Sequence, residues 1–233
     1  KPEVWTVLPT LRQSKIRVSV EPKRAADDLI PQPLTGETRN RTADRVVAIG
    51  ASAGGTQAIE YILLELTAAA PPIAIVQHMP ENFTAAFANR LNGLCKAEVR
   101  EASDGEILVP GKILVAPGNR HLLVERTGQH YKAVIKDGPL VSRHKPSVDV
   151  LFRSMAKCAG KNALGIILTG MGDDGAAGML EMKRAGITTI AQDRESSVVF
   201  GMPKSAIDRG GVDKILPLER MSAEIMAMSL PES

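Results

Sequence analysis

Short apolar runs alternate with longer stretches of helical period along most of this chain. The runs 46–49, 73–76, 163–168 and 188–191 hold almost no charged residue, as expected of strands buried on both faces. Between them, apolar positions recur every three or four residues. In 56–66, Ile59, Leu63 and Leu66 share one face, and in 83–94 so do Phe83, Phe87, Leu91 and Leu94. Further helical stretches are predicted over 147–159, from 176 through Ala185, and from about Met221 onward, with short elements at 203–207 and 214–216. This alternation predicts an α/β fold, a doubly wound, mostly parallel sheet with helices on both faces. The middle has a different rhythm. Stretches 112–116, 121–125 and 131–136 alternate apolar and polar residues around Pro117-Gly118-Asn119 and Thr127-Gly128. That pattern predicts an antiparallel, hairpin-rich insert extending the sheet.

Residues 1–43 stand apart. They mix charges with Pro2, Pro9, Pro22, Pro31 and Pro33 and sustain neither period. They are expected to form a linker, or an arm lying on a neighbouring domain. Residues 44–233 then form the folded domain. With 233 residues, 44% of them hydrophobic, one domain plus this appendage is the natural division. A chain opening on Lys1 and not Met is expected to be a fragment. No apolar run is long enough to cross a bilayer and no leader pattern opens the chain, so a cytoplasmic location without membrane insertion is expected. A formal charge of +3 with 3% aromatics argues against nucleic-acid binding. Cys95 and Cys158 lie far apart in amphipathic patterns and read as buried apolar fillers.

Candidate chemistry enters at the strand ends, where parallel α/β sheets carry their functional groups. After the first run comes Gly50-Ala51-Ser52-Ala53-Gly54, which fits the G-x-S-x-G turn that lifts a serine above a sheet. Only small residues fit around such a serine, and the following helix start would favour an anion beside it. The same turn would also suit a phosphate cradle in a Rossmann-like unit, and on this motif alone neither reading wins. The second run ends at His78, and the long run 163–168 leads into Asp173 and Asp174. A nucleophile, a base and a carboxylate are thus expected on one rim. Their order, Ser, His, Asp, differs from that of ordinary α/β-hydrolases. His121 and His130 fall in the hairpins and read as solvated strand residues. His144 lies in the loop before a helix, where it could line a substrate groove.

Several ordered motifs make the chain recognisable: Gly50-Ala-Ser-Ala-Gly-Gly55, Gln77-His-Met-Pro80, Ala116-Pro-Gly118 with His121, Lys145-Pro-Ser-Val-Asp149, Leu168-Thr-Gly-Met-Gly172, Asp174-Gly-Ala-Ala-Gly-Met179 and Phe200-Gly-Met-Pro203. From residue 44 onward the chain resembles the catalytic domain of the bacterial chemotaxis methylesterase family CheB, protein-glutamate methylesterase and glutamine deamidase. The resemblance implies Ser52 as nucleophile, His78 as base and Asp174, the aspartate directly before Gly-Ala-Ala, as the triad acid. It implies an oxyanion hole using the backbone N–H of Met171, with Ala53 as the second backbone donor. Many relatives carry Thr at that second position, so a hydroxyl contribution is missing here. Arg143 and His144, in a basic loop beside Lys145, are the candidate substrate-binding residues. No metal or organic cofactor is expected. The implied partners are the methylation helices of chemoreceptors and, in the full-length protein, an upstream phosphorylatable receiver domain.

Two other functions compete with this one. A nucleotide-binding module should place an acidic residue at the end of the second strand, where this chain has Gln77-His78. A non-catalytic module that only docks on receptors would need none of the three residues to react.

Overall fold

The computed structural model of the chain describes residues 23–31 and 45–229. Its centre is strand β1 (Val46–Ala51), fully buried along its length. Alternate side chains point to opposite faces, so Val46 and Ala48 enter one core while Val47, Ile49 and Ala51 enter the other. Around it lies a seven-stranded sheet in the order β10-β9-β8-β1-β2-β5-β3. The strands are β2 (Ile73–Gln77), β3 (Glu98–Glu101), β5 (Lys112–Val115), β8 (Ala163–Ile167), β9 (Thr188–Gln192) and β10 (Lys214–Leu216). Every pairing in it is parallel. The chain builds outward from β1 through β2 on one side and later through β8 on the other. This reversal opens a crevice at the carboxyl end of β1, the usual ligand position in open α/β sheets.

Three helices cover one face: α1 (Gly55–Leu64), α2 (Glu81–Leu94) and α6 (Met221–Ala227). Ile59, Ile62, Leu63, Phe87 and Leu91 pack there against Val47, Ile49 and Ile75. Helices α3 (Val148–Cys158), α4 (Ala176–Arg184) and α5 (Met202–Asp208) cover the other, through Leu151, Phe152, Met179 and Met202. Each such fully buried side chain contributes about 1.5–3 kcal/mol, so both layers hold the crevice rigid.

The middle of the chain departs from expectation. Strand β5 was expected in an antiparallel insert but is a parallel member of the main sheet, beside β2. The hairpin β6 (His121–Thr127) and β7 (His130–Lys136), with β4 (Ile107–Leu108), forms a separate three-stranded antiparallel sheet and does not extend the first. It packs Leu122, Val124 and Tyr131 under α3. On α2, Phe83 and Leu94 were expected on the buried face but are 59% and 49% exposed. The buried stripe is narrower because α2 lies over the sheet edge.

Of the expected linker, residues 23–31 lie on the domain, with a 3₁₀ turn at Ala26–Asp28. Ala26 and Ile30 are buried against Leu123, Val141 and Val150. Residues 1–22 and 32–44 lie outside the described residues.

Candidate active site

Four segments that follow or precede buried elements meet at the β1 crevice. The turn after β1 needs a left-handed residue, and Gly54 takes it at φ 78°. Ser52 is held by its backbone: its N–H donates to the Thr169 carbonyl (3.0 Å), and its carbonyl accepts from Gly55 N–H (2.8 Å). The segment after β8 passes very close to it. A Cβ at Gly170 would lie 2.8 Å from Ser52 Cβ and 2.2 Å from the Met202 sulfur, so only glycine fits there. Gln77, the buried last residue of β2, donates its amide to the Ser52 carbonyl (2.9 Å) and the His78 carbonyl (3.0 Å). The serine turn and the histidine turn are thereby tied together.

His78 Nε2–H donates to Asp174 Oδ2 at 2.7 Å. The other ring nitrogen, Nδ1, is buried without a hydrogen-bond partner among the described residues. It is therefore the ring's available proton acceptor. Asp174 is fully buried, and its two oxygens also accept from Ser147 Oγ (2.8 Å), Val148 N–H (2.7 Å) and Asp149 N–H (3.0 Å). Two of those donors are orphan N–H groups at the start of α3, so a carboxylate from another segment completes the helix end. Burial alone would raise the Asp174 carboxyl. The His78 hydrogen bond and charge and the two N–H donors outweigh it and hold the group below the usual carboxylate range.

His144 lies against His78, ring centroids 3.7 Å apart and planes within 4°. Its Nδ1–H donates to the Ser142 carbonyl (2.7 Å). Burial, and then the positive charge that His78 can carry, lower its affinity for a proton. His78, His144 and Asp174 place ligand-type atoms within 4.8 Å of one another. The two rings lie face to face, and each already engages one ring nitrogen in a hydrogen bond.

The remaining expected residues divide. No hydrogen bond engages the N–H of Ala53 or Met171 among the described residues, which leaves both available as donors. Arg143 is exposed, next to His144 in the chain. Asp173 makes no hydrogen bond to His78 among the described residues and pairs with Lys23. The hairpin expectation for His121 is corrected. It is fully buried, donates Nε2–H to the Pro139 carbonyl (2.9 Å) and accepts Ser147 N–H on Nδ1 (3.3 Å). It thus supports the loop carrying Ser147. His130 is exposed, as expected. Cys95 and Cys158 are free and half-buried, and burial pushes the Cys158 thiol up to about 12.

Sequence reasoning missed how Ser147 and Asp149 serve the site. The Pro146-Ser-Val-Asp149 motif was the available signal, since three of its backbone or side-chain donors converge on Asp174. Asp149 itself accepts from Ser142 Oγ (2.7 Å) and Gly178 N–H (2.8 Å). Burial and the adjacent Asp174 carboxylate push its carboxyl up to about 7, against the opposing pull of Gly178, Ser142 and Lys23. The folded protein therefore keeps a proton on Asp149 that an unfolded chain, titrating near about 4, has already lost. This group's contribution is favourable at low pH and fades as pH rises toward 7. Asp149→Asn should be close to the parent in Tm at about pH 4 and gain several degrees over it by about pH 8. A Tm difference that does not change with pH would contradict this assignment.

Comparison with known proteins decides the family. A family model described as CheB methylesterase matches residues 47–225. This chain belongs to the CheB methylesterase family. It is 58% identical over 217 residues to a protein-glutamate methylesterase/protein-glutamine glutaminase 2 of Rhizobium johnstonii, covering 93% of this chain and 59% of that one. It is 60% identical over 201 residues to a protein-glutamate methylesterase/protein-glutamine glutaminase 1 of Chromobacterium violaceum, covering 86% and 56%. This CheB-family chain thus spans under two thirds of the length of these curated relatives. The crystal structure of the Thermotoga maritima CheB methylesterase catalytic domain superposes with a TM-score of 0.77 at 35% identity, covering 80% of this chain and 99% of that one.

Proposed function

We propose that this chain is the catalytic part of a serine hydrolase acting on chemoreceptors in chemotaxis adaptation. It removes methyl groups from glutamate methyl esters as methanol and converts glutamines to glutamates with release of ammonia. The observation that carries this reading is the His78–Asp174 pair, hydrogen-bonded at 2.7 Å with the second imidazole nitrogen open, on the rim where β1 delivers Ser52.

Ser52 Oγ attacks the side-chain carbonyl carbon, and its proton passes to His78 Nδ1. Asp174 keeps the other proton on Nε2 and stabilises the imidazolium. The carbonyl oxygen, negative in the tetrahedral intermediate, accepts from the N–H groups of Met171 and Ala53. As the intermediate collapses, the carbonyl re-forms, the C–O bond breaks, and His78 protonates the departing methoxide. Water, deprotonated by the same imidazole, then attacks the acyl-serine and releases glutamate. An amide follows the same path. A nucleotide-binding role fits less well, because β2 ends in Gln77, not in an acidic residue, and its amide N–H groups go to the Ser52 and His78 carbonyls.

The substrate is a side chain on a receptor helix, so a shallow cleft suits it better than a deep pocket. Exposed Met171 (73%) and Val198 (74%) provide apolar surface beside Ser52, since Val198 lies against Gly54 and Met171 follows Gly170. We place the enzyme in the cytoplasm, where receptor methylation helices and an upstream receiver domain would meet it. No helix among the described residues is long and apolar enough to cross a membrane.

Receptor membranes carrying isotopically labelled glutamate methyl esters test this reading. Labelled methanol should be released on adding the chain, and none would overturn it. Arg143 is assigned to attract the acidic receptor surface. Exposed pairs contribute little individually, so Arg143→Ala should raise KM about two- to fivefold and weaken its salt dependence, with kcat nearly unchanged. Unchanged KM and salt response would remove Arg143 from the binding surface.

A further inference from the structure

The turn that carries His144 is strained. Ser142 and Arg143 both adopt left-handed backbone, at φ 49° and 70°, although neither is glycine. Such backbone is unfavourable for a residue with a Cβ and persists only where its surroundings enforce it. Val141 and His144 close the turn by exchanging backbone hydrogen bonds of 3.1 and 2.8 Å. From outside the turn, Asp149 accepts from Ser142 Oγ. The other outside clamp comes from the N-terminal segment: the Arg24 carbonyl accepts Ser142 N–H at 2.9 Å.

That segment is anchored well. Ala26 and Ile30 are buried against Val141, the first residue of the turn, with Leu123 and Val150. Asp27 pairs with Arg153, whose guanidinium also donates to the Ile30 carbonyl at 3.1 Å. Lys136 donates to the Leu29 carbonyl at 3.1 Å. At its other end Lys23 pairs with Asp173, the neighbour of Asp174. The segment also lies outside residues 47–225, the stretch matched to the family.

We propose that residues 23–30 are a positioning element of the active site, clamping the 141–144 turn so that His144 stays flat against His78. The element touches no substrate and acts through His144, which shields one face of the His78 ring and limits its rotation. The catalytic consequence rests on the reading of His78 as the base. A competing role is plain coverage of apolar surface, which would change stability without touching the imidazoles.

Asp27→Ala and Ile30→Ala, each made in the full 233-residue chain, separate these roles. Face-to-face stacking gives the His78 and His144 ring protons ring-current shifts readable by NMR. In both variants these should move toward unstacked positions. On methylated receptor, kcat should fall about tenfold, with any rise in KM no larger than the two- to fivefold assigned to Arg143, which the same turn carries. His144→Ala should produce a similar loss, and adding it to either variant should cost little more. Should Ile30→Ala fail to fold, Asp27→Ala, which removes a half-exposed carboxylate, carries the same comparison. Unmoved imidazole resonances, or losses that multiply with His144→Ala, would overturn the proposal. If the resonances move but the parent chain releases no methanol, the clamp stands and the esterase reading falls.

Discussion

Ser52→Ala should lower methanol release by about 10⁴-fold or more while leaving the thermal transition near its parent value. The fold is spared because Ser52 sits on the rim. Its hydrogen bonds to Thr169 and Gly55, and the one it receives from Gln77, are made by backbone atoms that alanine retains. His78→Ala should be comparably severe, since no other described imidazole donates to Asp174 at 2.7 Å. His144, whose Nδ1 is 3.9 Å from the same carboxylate, is committed to the Ser142 carbonyl. Because serine and histidine act as one unit, the double variant should be little worse than either single one. Near-normal turnover in Ser52→Ala would end the acyl-serine mechanism.

Asp174→Asn should be nearly as damaging, about 10³- to 10⁴-fold in kcat, and Asp173→Asn mild. The two neighbours occupy opposite environments. Asp174 is fully buried and surrounded by donors from His78, Ser147, Val148 and Asp149. An asparagine amide would present its own hydrogens to some of those donors, and the best repair is for His78 to change tautomer. The acceptor nitrogen facing the serine side is then lost. Asp173 is partly exposed and pairs with Lys23, so its neutralisation affects a solvated ion pair. Equal losses, or the reverse ranking, measured as kcat on methylated receptor, would overturn the assignment. A stability cost is also expected for Asp174→Asn alone, because buried donors lose a charged acceptor.

Much of this arrangement is legible in the sequence, and the reasons are local. A strand buried on both faces must be apolar throughout, so β1, β2, β8 and β9 announce themselves as runs. The residues that follow each run lie near the carboxyl edge by construction, which is why Ser52, His78 and the pair Asp173 and Asp174 could be placed on one rim, the choice of Asp174 coming from the family resemblance. Edge strands give no such signal. Glu98–Glu101 has a single buried side chain, Val99, between charges, and Ile107–Leu108 is too short to show a period. Lys112–Val115 was grouped with the hairpins because they follow it closely in the chain, although its partners are the distant β2 and the edge strand β3.

The supporting residues were harder to see, because their roles come from contacts between remote segments. His144 meets His78 across 66 residues of chain, a distance no spacing rule reports. His121 reads as an alternating strand residue until the Pro139–Ser147 loop folds over it. Residues 23–31 show no period because they form one 3₁₀ turn and otherwise follow the surface they cover.

Reaction with a fluorophosphonate, followed by peptide mass spectrometry, tests most directly whether Ser52 is a nucleophile activated by His78. A single adduct on Ser52 is expected in the parent chain, with its rate of formation falling at least about 10³-fold in His78→Ala. No adduct, an adduct on a different serine, or equal labelling in His78→Ala would contradict the Ser52–His78–Asp174 assignment.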